Sequence, residues 1–135
     1  MIRTLVVASL LLAGCSPADT PDPAPRSTAP SDKSAASACS RVAFSIEKNN
    51  PPVEDMSTAM LAIGSTDPGV REAGKKLGPA AKEAGDLWVA DDPAVDKGPA
   101  NQRVADARQG LLNACTDLFG AYPWPFVRGV SPTPR

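Results

Sequence analysis

The chain has no histidine, the side chain whose unperturbed pKa lies nearest to neutral pH. This absence excludes Ser-His and Cys-His nucleophilic pairs and histidine-ligated metal sites. Aromatic residues make up only 4% of the 135 residues, which limits stacking platforms and large apolar pockets. The 14 basic residues are balanced by 15 acidic ones, whereas nucleic-acid binding requires a concentrated basic patch. We therefore expect no nucleic-acid partner.

The N-terminal segment contains an apolar run that covers only Leu5–Leu12. A permanent transmembrane helix needs about 20 apolar residues, so this run is too short to be one. Its length is instead typical of the hydrophobic region of a signal peptide, and Arg3 supplies a positive charge before it. The run ends in Leu12-Ala13-Gly14-Cys15, which places small residues before a thiol that can be acylated.

Residues 1–15 resemble the lipobox signal of bacterial lipoproteins, Leu-(Ala/Ser)-(Gly/Ala)-Cys, which the type II signal peptidase cleaves. The resemblance implies a signal peptide over residues 1–14, diacylglyceryl transfer to Cys15, and cleavage before Cys15. Two or more acyl chains, such as palmitate, would anchor the protein stably to the extracytoplasmic face of the cell membrane. The alternative is an ordinary secretory signal with an incidental cysteine.

Residues 16–37 contain five prolines and no Val, Ile, Leu, Met or aromatic residue. Such a segment buries too little apolar surface to offset the entropy of ordering. We therefore predict that residues 15–37 form an acylated cysteine followed by a disordered tether. The tether either serves as a stalk through cell-wall polymer or gives processing enzymes access to Cys15. Residues 129–135 are expected to form a second disordered segment.

Residues 38–128 remain as the folding unit, and their apolar residues recur at helical spacing. No alternating run of β-branched residues indicates a strand. The predicted fold is therefore all-α, a small up-down four-helix bundle, with a kink or split at Gly78-Pro79 in the third helix. The predicted buried faces contain Cys39, Val42, Ala43 and Ile46; Val53, Met56, Met60 and Ile63; Val70, Ala73, Leu77, Ala81, Ala84 and Trp88; and Val104, Ala107, Leu111, Cys115, Leu118 and Tyr122.

Export would place the domain in an oxidising compartment, where cysteines are usually paired. With Cys15 acylated, Cys39 and Cys115 remain, and antiparallel first and fourth helices would bring them together. We predict one structural disulfide that staples the bundle. A redox-active pair is the alternative, but the sequence has no Cys-x-x-Cys arrangement to support it.

The segment Tyr122-Pro-Trp-Pro-Phe126 holds three of the six aromatic residues. Its alternating prolines favour an extended conformation. One interpretation is a strap that folds back over the open end of the bundle near the disulfide. The other is an exposed anchor in which Trp124 and Phe126 contact a partner, because aromatic side chains dominate contact energetics.

No motif in the sequence indicates a catalytic residue, a metal site or a cofactor. Asp91, Asp92 and Asp96 share one loop, but their spacing does not fit a calcium-binding loop. The lipobox, tether and helical domain together look like small lipoproteins of actinobacteria and their phages. We expect a non-enzymatic interaction module that contacts an envelope protein or polymer. The alternatives are a phage-encoded lipoprotein that excludes superinfection or modulates an envelope protein, a carrier of lipid or a small apolar ligand, and a carboxylate-based hydrolase.

Overall fold

The computed structural model describes residues 30–127. Over this range the chain is all-helical and contains no strand, which confirms the predicted fold class. The predicted signal peptide, Cys15, most of the predicted tether and residues 129–135 lie outside the described residues. The elements are α1 (Lys33–Lys48), a 3-10 helix (Pro52–Glu54), α2 (Asp55–Ile63), α3 (Pro68–Ala90) and α4 (Gly98–Phe119).

The four helices form a closed up-down bundle. Each helix packs against the next one in the chain, and α1 also packs against α4. Short connections reverse the chain direction each time, so alternate helix ends meet. We call the end that contains Lys33, Ile63, Pro68 and Phe119 the proximal end, and the end that contains Lys48, Asp55, Ala90 and Gly98 the distal end. No helix within residues 30–127 is long and apolar enough to cross a membrane.

The core is built mainly from alanine, with few large side chains. The main cluster contains the two cysteines, Leu77, Leu111 and Trp124, and a smaller cluster of Ala84, Ala100 and Val104 lies toward the distal end. Small side chains let the helices approach closely. At Gly74 an added Cβ atom would lie 2.6 Å from the Cβ atom of Ala62.

Helix α1 begins at Lys33, five residues before the predicted domain boundary at residue 38. Asp32 caps the helix, because its Oδ1 atom accepts a hydrogen bond of 2.9 Å from the Ala35 amide. The Oδ2 atom accepts hydrogen bonds from the hydroxyl groups of Ser65 and Thr66. Residues 33–37 therefore belong to the bundle and not to the tether.

The predicted buried face of the second helix is wrong in its register. Met60 is 72% exposed and Val53 is 59% exposed, whereas the buried residues of α2 are Asp55, Thr58, Ala59 and Ala62. Small residues of α2 face the core because they permit the close contact with Gly74. Four further residues of predicted faces are also exposed, namely Ile46, Ile63, Trp88 and Leu118.

Helix α3 is continuous from Pro68 to Ala90, so the predicted split at Gly78-Pro79 does not occur. Pro79 cannot donate a hydrogen bond to the Lys75 carbonyl, which disfavours a helix at this point. Leu77 and Ala81 lie on either side of the proline, and both are completely buried. These contacts hold both halves of α3 against the core.

Candidate functional site

An open groove of about 820 Å³ lies along α1, the 3-10 helix and α2. We call it the α1–α2 groove. Its polar lining consists of serine and threonine hydroxyl groups, Arg41, Asn50 and Glu54, and its apolar lining consists of Phe44, Phe126 and Val127. A site with this composition can combine hydrogen bonds with contacts to aromatic rings.

One face of α1 supplies most of one wall of the groove. Ser37, Ser40, Arg41 and Phe44 follow the i, i+3, i+4, i+7 spacing that places side chains on one side of a helix. The Nη1 atom of Arg41 donates a hydrogen bond of 2.9 Å to the hydroxyl of Ser57 in α2. This bond joins the two walls and fixes the guanidinium within the groove.

Two of the groove hydroxyl groups donate to backbone carbonyls and not to a base. Ser40 donates to the Ala36 carbonyl at 2.8 Å, and Ser57 donates to the Glu54 carbonyl at 3.0 Å. Glu54 is the carboxylate of the lining, and its Oε2 atom accepts a hydrogen bond from the Asn50 amide at 2.8 Å. Within residues 30–127 no three carboxylate, cysteine or histidine side chains are placed to hold a metal ion. The arrangement suits non-covalent binding.

A buried ion pair lies next to the groove lining and connects it to α4. The Nε and Nη2 atoms of Arg108 donate to the Oδ2 atom of Asp55 at 2.8 and 2.6 Å. Nη2 also donates to the Asn50 carbonyl at 2.6 Å. Burial raises the pKa of the Asp55 carboxyl above its usual range, and the Arg108 guanidinium offsets part of this increase. The pair holds the α1–α2 connection against α4.

The predicted disulfide is present. Cys39 of α1 and Cys115 of α4 are joined through their sulfur atoms, with their Cα atoms 5.7 Å apart, and both residues are completely buried. The disulfide belongs to the main core cluster. This position agrees with a structural staple.

Residues 120–127, which we call the strap, fold back against α1 after the end of α4. Trp124 is only 1% exposed, and its Nε1 atom donates a hydrogen bond of 2.8 Å to the Gly120 carbonyl. The hydroxyl of Tyr122 donates to Glu47 at 2.7 Å, which fastens the strap to α1. This hydrogen bond to the carboxylate, together with burial, raises the pKa of Tyr122 above its usual value.

The burial of Trp124 corrects the exposed-anchor hypothesis for this residue. Its ring is covered because Phe119, Tyr122 and Phe126 pack around it, with the ring of Phe126 stacked at a centroid distance of 5.8 Å. Phe126 itself is half-buried and lines the α1–α2 groove. The proposed partner contact at Phe126 stays a prediction.

Sequence reasoning missed two features. Arg108 lies on the stripe that Val104, Leu111 and Cys115 define, so a charged residue on an apolar face was a usable signal for the buried ion pair. The apolar stripe of the third helix predicts a buried Trp88, yet Trp88 is 56% exposed. No sequence signal shows this exposure, because it depends on the lengths of the neighbouring helices.

Comparison with known proteins identifies no relative of this chain. The chain matches no family model, no curated protein and no solved structure. The fold, the groove and the sequence motifs are therefore the basis for any proposal about function.

Proposed function

We propose that the chain is a lipoprotein anchored through acyl chains on Cys15 to the extracytoplasmic face of a bacterial membrane, where its helical domain acts by binding. The distribution of cysteines is the observation that carries this proposal. Cys39 and Cys115 form a disulfide, and disulfides persist mainly in oxidising compartments. The third cysteine, Cys15, follows Leu-Ala-Gly in the lipobox pattern.

The α1–α2 groove supports a binding role for the domain. Its volume of about 820 Å³ is within the range of known ligand sites, and its lining mixes hydroxyl groups, Arg41 and two phenylalanines. A carrier of lipid requires a predominantly apolar cavity that encloses its ligand. The groove opens to solvent and is partly polar, which favours an envelope protein or polymer over an apolar ligand.

Metabolic labelling of bacterial cells with an alkyne-bearing fatty acid tests the anchor. The wild-type chain is expected to carry the label and to sediment with membranes. Cys15→Ser removes the acylated sulfur, so this variant is expected to carry no label. Ser16→Ala is the matched control at the adjacent position, and it is expected to be labelled like the wild type. Label that persists in Cys15→Ser, or a wild-type chain without label, would contradict the proposal.

A further inference from the structure

Three large apolar side chains lie exposed at the distal end of the bundle. Trp88 and Val89, in the last turn of α3, are 56% and 84% exposed, and Val53 in the 3-10 helix is 59% exposed. Val53 lies against α3, since an added Cβ atom at Gly85 would be 3.9 Å from its Cα and Cβ atoms. Val89 follows Gly85 by one helical turn. We call Val53, Trp88 and Val89 the distal tip.

The exposure of the distal tip agrees with the lengths of the helices on one side of α3. Helices α3 and α4 have 23 and 22 residues, whereas α1 has 16 and α2 has 9. Trp88 continues the core-facing stripe of Leu77, Ala81 and Ala84, but the small distal cluster supplies no side chain to cover it. A tryptophan at the end of an apolar stripe is available for contact with a partner, because Trp is enriched at interface hot spots.

The residues around the distal tip are acidic. Between residues 82 and 97 the sequence contains five carboxylates and two lysines. The carboxylates of Asp92 and Asp96 accept hydrogen bonds from the backbone amides of Ala94 and Gly98. Among the described residues neither aspartate forms an ion pair, whereas Lys97 lies 3.5 Å from Asp91. Glu83 pairs with Arg103 and Asp86 pairs with Lys82. The unneutralised negative charge beside the exposed tryptophan is therefore that of Asp92 and Asp96.

We propose that the distal tip docks a protein segment that presents an apolar face flanked by lysine or arginine. Charge complementarity selects this partner, because opposite charges across an interface favour association and like charges oppose it. A second copy would bring the same acidic loop against the tip. Anionic lipid headgroups and phosphate polymers would be repelled in the same way. The inference rests on the proposed function in one respect. The tip lies at the end opposite Lys33, where the chain from Cys15 enters the bundle, so an anchor at Cys15 would leave the tip accessible to a partner.

The test is a titration with two model peptides of equal length, an amphipathic Leu/Lys helix and its Leu/Glu counterpart, each carrying a fluorophore for anisotropy. The protein is the full chain with Cys15→Ser, so acylation has no influence on the result. We expect the Leu/Lys peptide to bind at least about tenfold more tightly than the Leu/Glu peptide, and to bind less tightly as salt is added. Equal affinity for the two peptides overturns the proposal.

Two variants locate the binding surface. Trp88→Ala and Val89→Ser each remove apolar contact area without changing the charge, and each is expected to weaken binding of the Leu/Lys peptide by about tenfold or more. Val89 is mostly exposed, so its variant is expected to fold normally. Met60→Ala is the matched control, because Met60 is 72% exposed on α2 and lies outside the lining of the α1–α2 groove. Unchanged binding in Val89→Ser, or equal loss in Met60→Ala, overturns the assignment to the distal tip.

Two further measurements test the other possible occupants of the distal tip, a second copy of the chain and an anionic lipid surface. Sedimentation of the Cys15→Ser chain would reveal a dimer, and its flotation with vesicles of anionic phospholipid would reveal lipid binding. We expect a monomer that does not float with the vesicles. A dimer or vesicle binding that Val89→Ser abolishes would overturn the proposal in favour of that occupant.

Discussion

Arg108 and Asp55 form a buried ion pair across the bundle, with two hydrogen bonds from the guanidinium to the Oδ2 atom of the carboxylate. The side chain of Asp55 is completely buried and that of Arg108 is 9% exposed. The Oδ1 atom of Asp55 is buried without a hydrogen-bond partner. The carboxylate therefore depends on Arg108 for compensation of its charge.

Replacement of Arg108 by methionine is expected to lower the free energy of unfolding by about 3–5 kcal/mol, because it leaves Asp55 buried and unpaired. The double variant Asp55→Asn/Arg108→Met carries no buried charge, so it is expected to lose less. Urea unfolding monitored by circular dichroism measures both. A single variant that is as stable as the wild type would show that the pair does not compensate the buried carboxylate.

Reduction of the Cys39–Cys115 disulfide is expected to destabilise the domain. The bond closes a loop across 76 positions, for which chain entropy predicts a loss of about 4–5 kcal/mol as an upper value. Guanidinium unfolding with and without a reductant gives the difference. The double variant Cys39→Ala/Cys115→Ala should show the same midpoint in both conditions. An unchanged midpoint for the reduced wild type would contradict the role of staple.

Gly74 permits the close approach of α2 and α3, so Gly74→Ala is expected to destabilise by about 1–3 kcal/mol. The added Cβ atom would lie 2.6 Å from the Cβ atom of Ala62 and 2.9 Å from the Ile63 nitrogen. Gly110→Ala is the matched control, because nothing lies within 4 Å of its Cβ position. That variant is expected to gain up to about 1 kcal/mol from helix propensity. A higher thermal midpoint for Gly74→Ala than for Gly110→Ala would contradict the close packing of α2 against α3.

The stability contributed by Asp32 is expected to decrease in acid. Partial burial acts to raise the pKa of Asp32, but hydrogen bonds from the Ala35 amide, Ser65 and Thr66 outweigh it and hold the pKa well below its usual range. The folded state therefore favours the ionised form. Its stabilisation is complete above the unfolded pKa of about 3.9 and decreases as the pH falls below that value.

The variant Asp32→Asn separates this contribution from general acid unfolding. It keeps a side chain that can cap a helix but removes the ionisable group. We expect the difference in unfolding free energy between the wild type and this variant to become smaller between about pH 7 and about pH 3. Urea unfolding at a series of pH values measures the difference. A gap that stays constant would count against the assigned pKa shift.

Tyr122 is the only tyrosine in the chain, so the ultraviolet absorbance of its phenolate reports one group. Its hydrogen bond to Glu47 and its partial burial raise its pKa above the usual value of about 10. Glu47→Gln removes the negative charge, and the titration midpoint is expected to move down toward that value. Identical titration curves for the two proteins would indicate that the strap is not fastened to α1 at this position.

The sequence predicted those features that follow from local pattern. Apolar periodicity indicated the four helices, all of which the structure contains. Counting cysteines indicated the pairing of Cys39 with Cys115. The helix signals depend on residues within a few helical turns of each other. The cysteine signal depends on the tendency of cysteines to pair in an oxidising compartment.

Features that depend on distant parts of the chain were not predictable in this way. The cap at Asp32 is reinforced by Ser65 and Thr66, more than thirty residues away in sequence. The buried face of α2 contains Ala59 and not Met60 because Gly74 of α3 lets the helices approach closely. Local periodicity places the larger side chain inside, and only the packed structure shows which face has room.

Intact-mass spectrometry of the chain recovered from bacterial membranes tests whether Cys15 carries the lipid anchor. We expect a mature chain that begins at Cys15, carries the added mass of its acyl groups, and contains two cysteines that react with a thiol reagent only after reduction. A chain that begins at Met1, or a mature chain whose Cys15 carries no acyl mass, would contradict the proposed anchor.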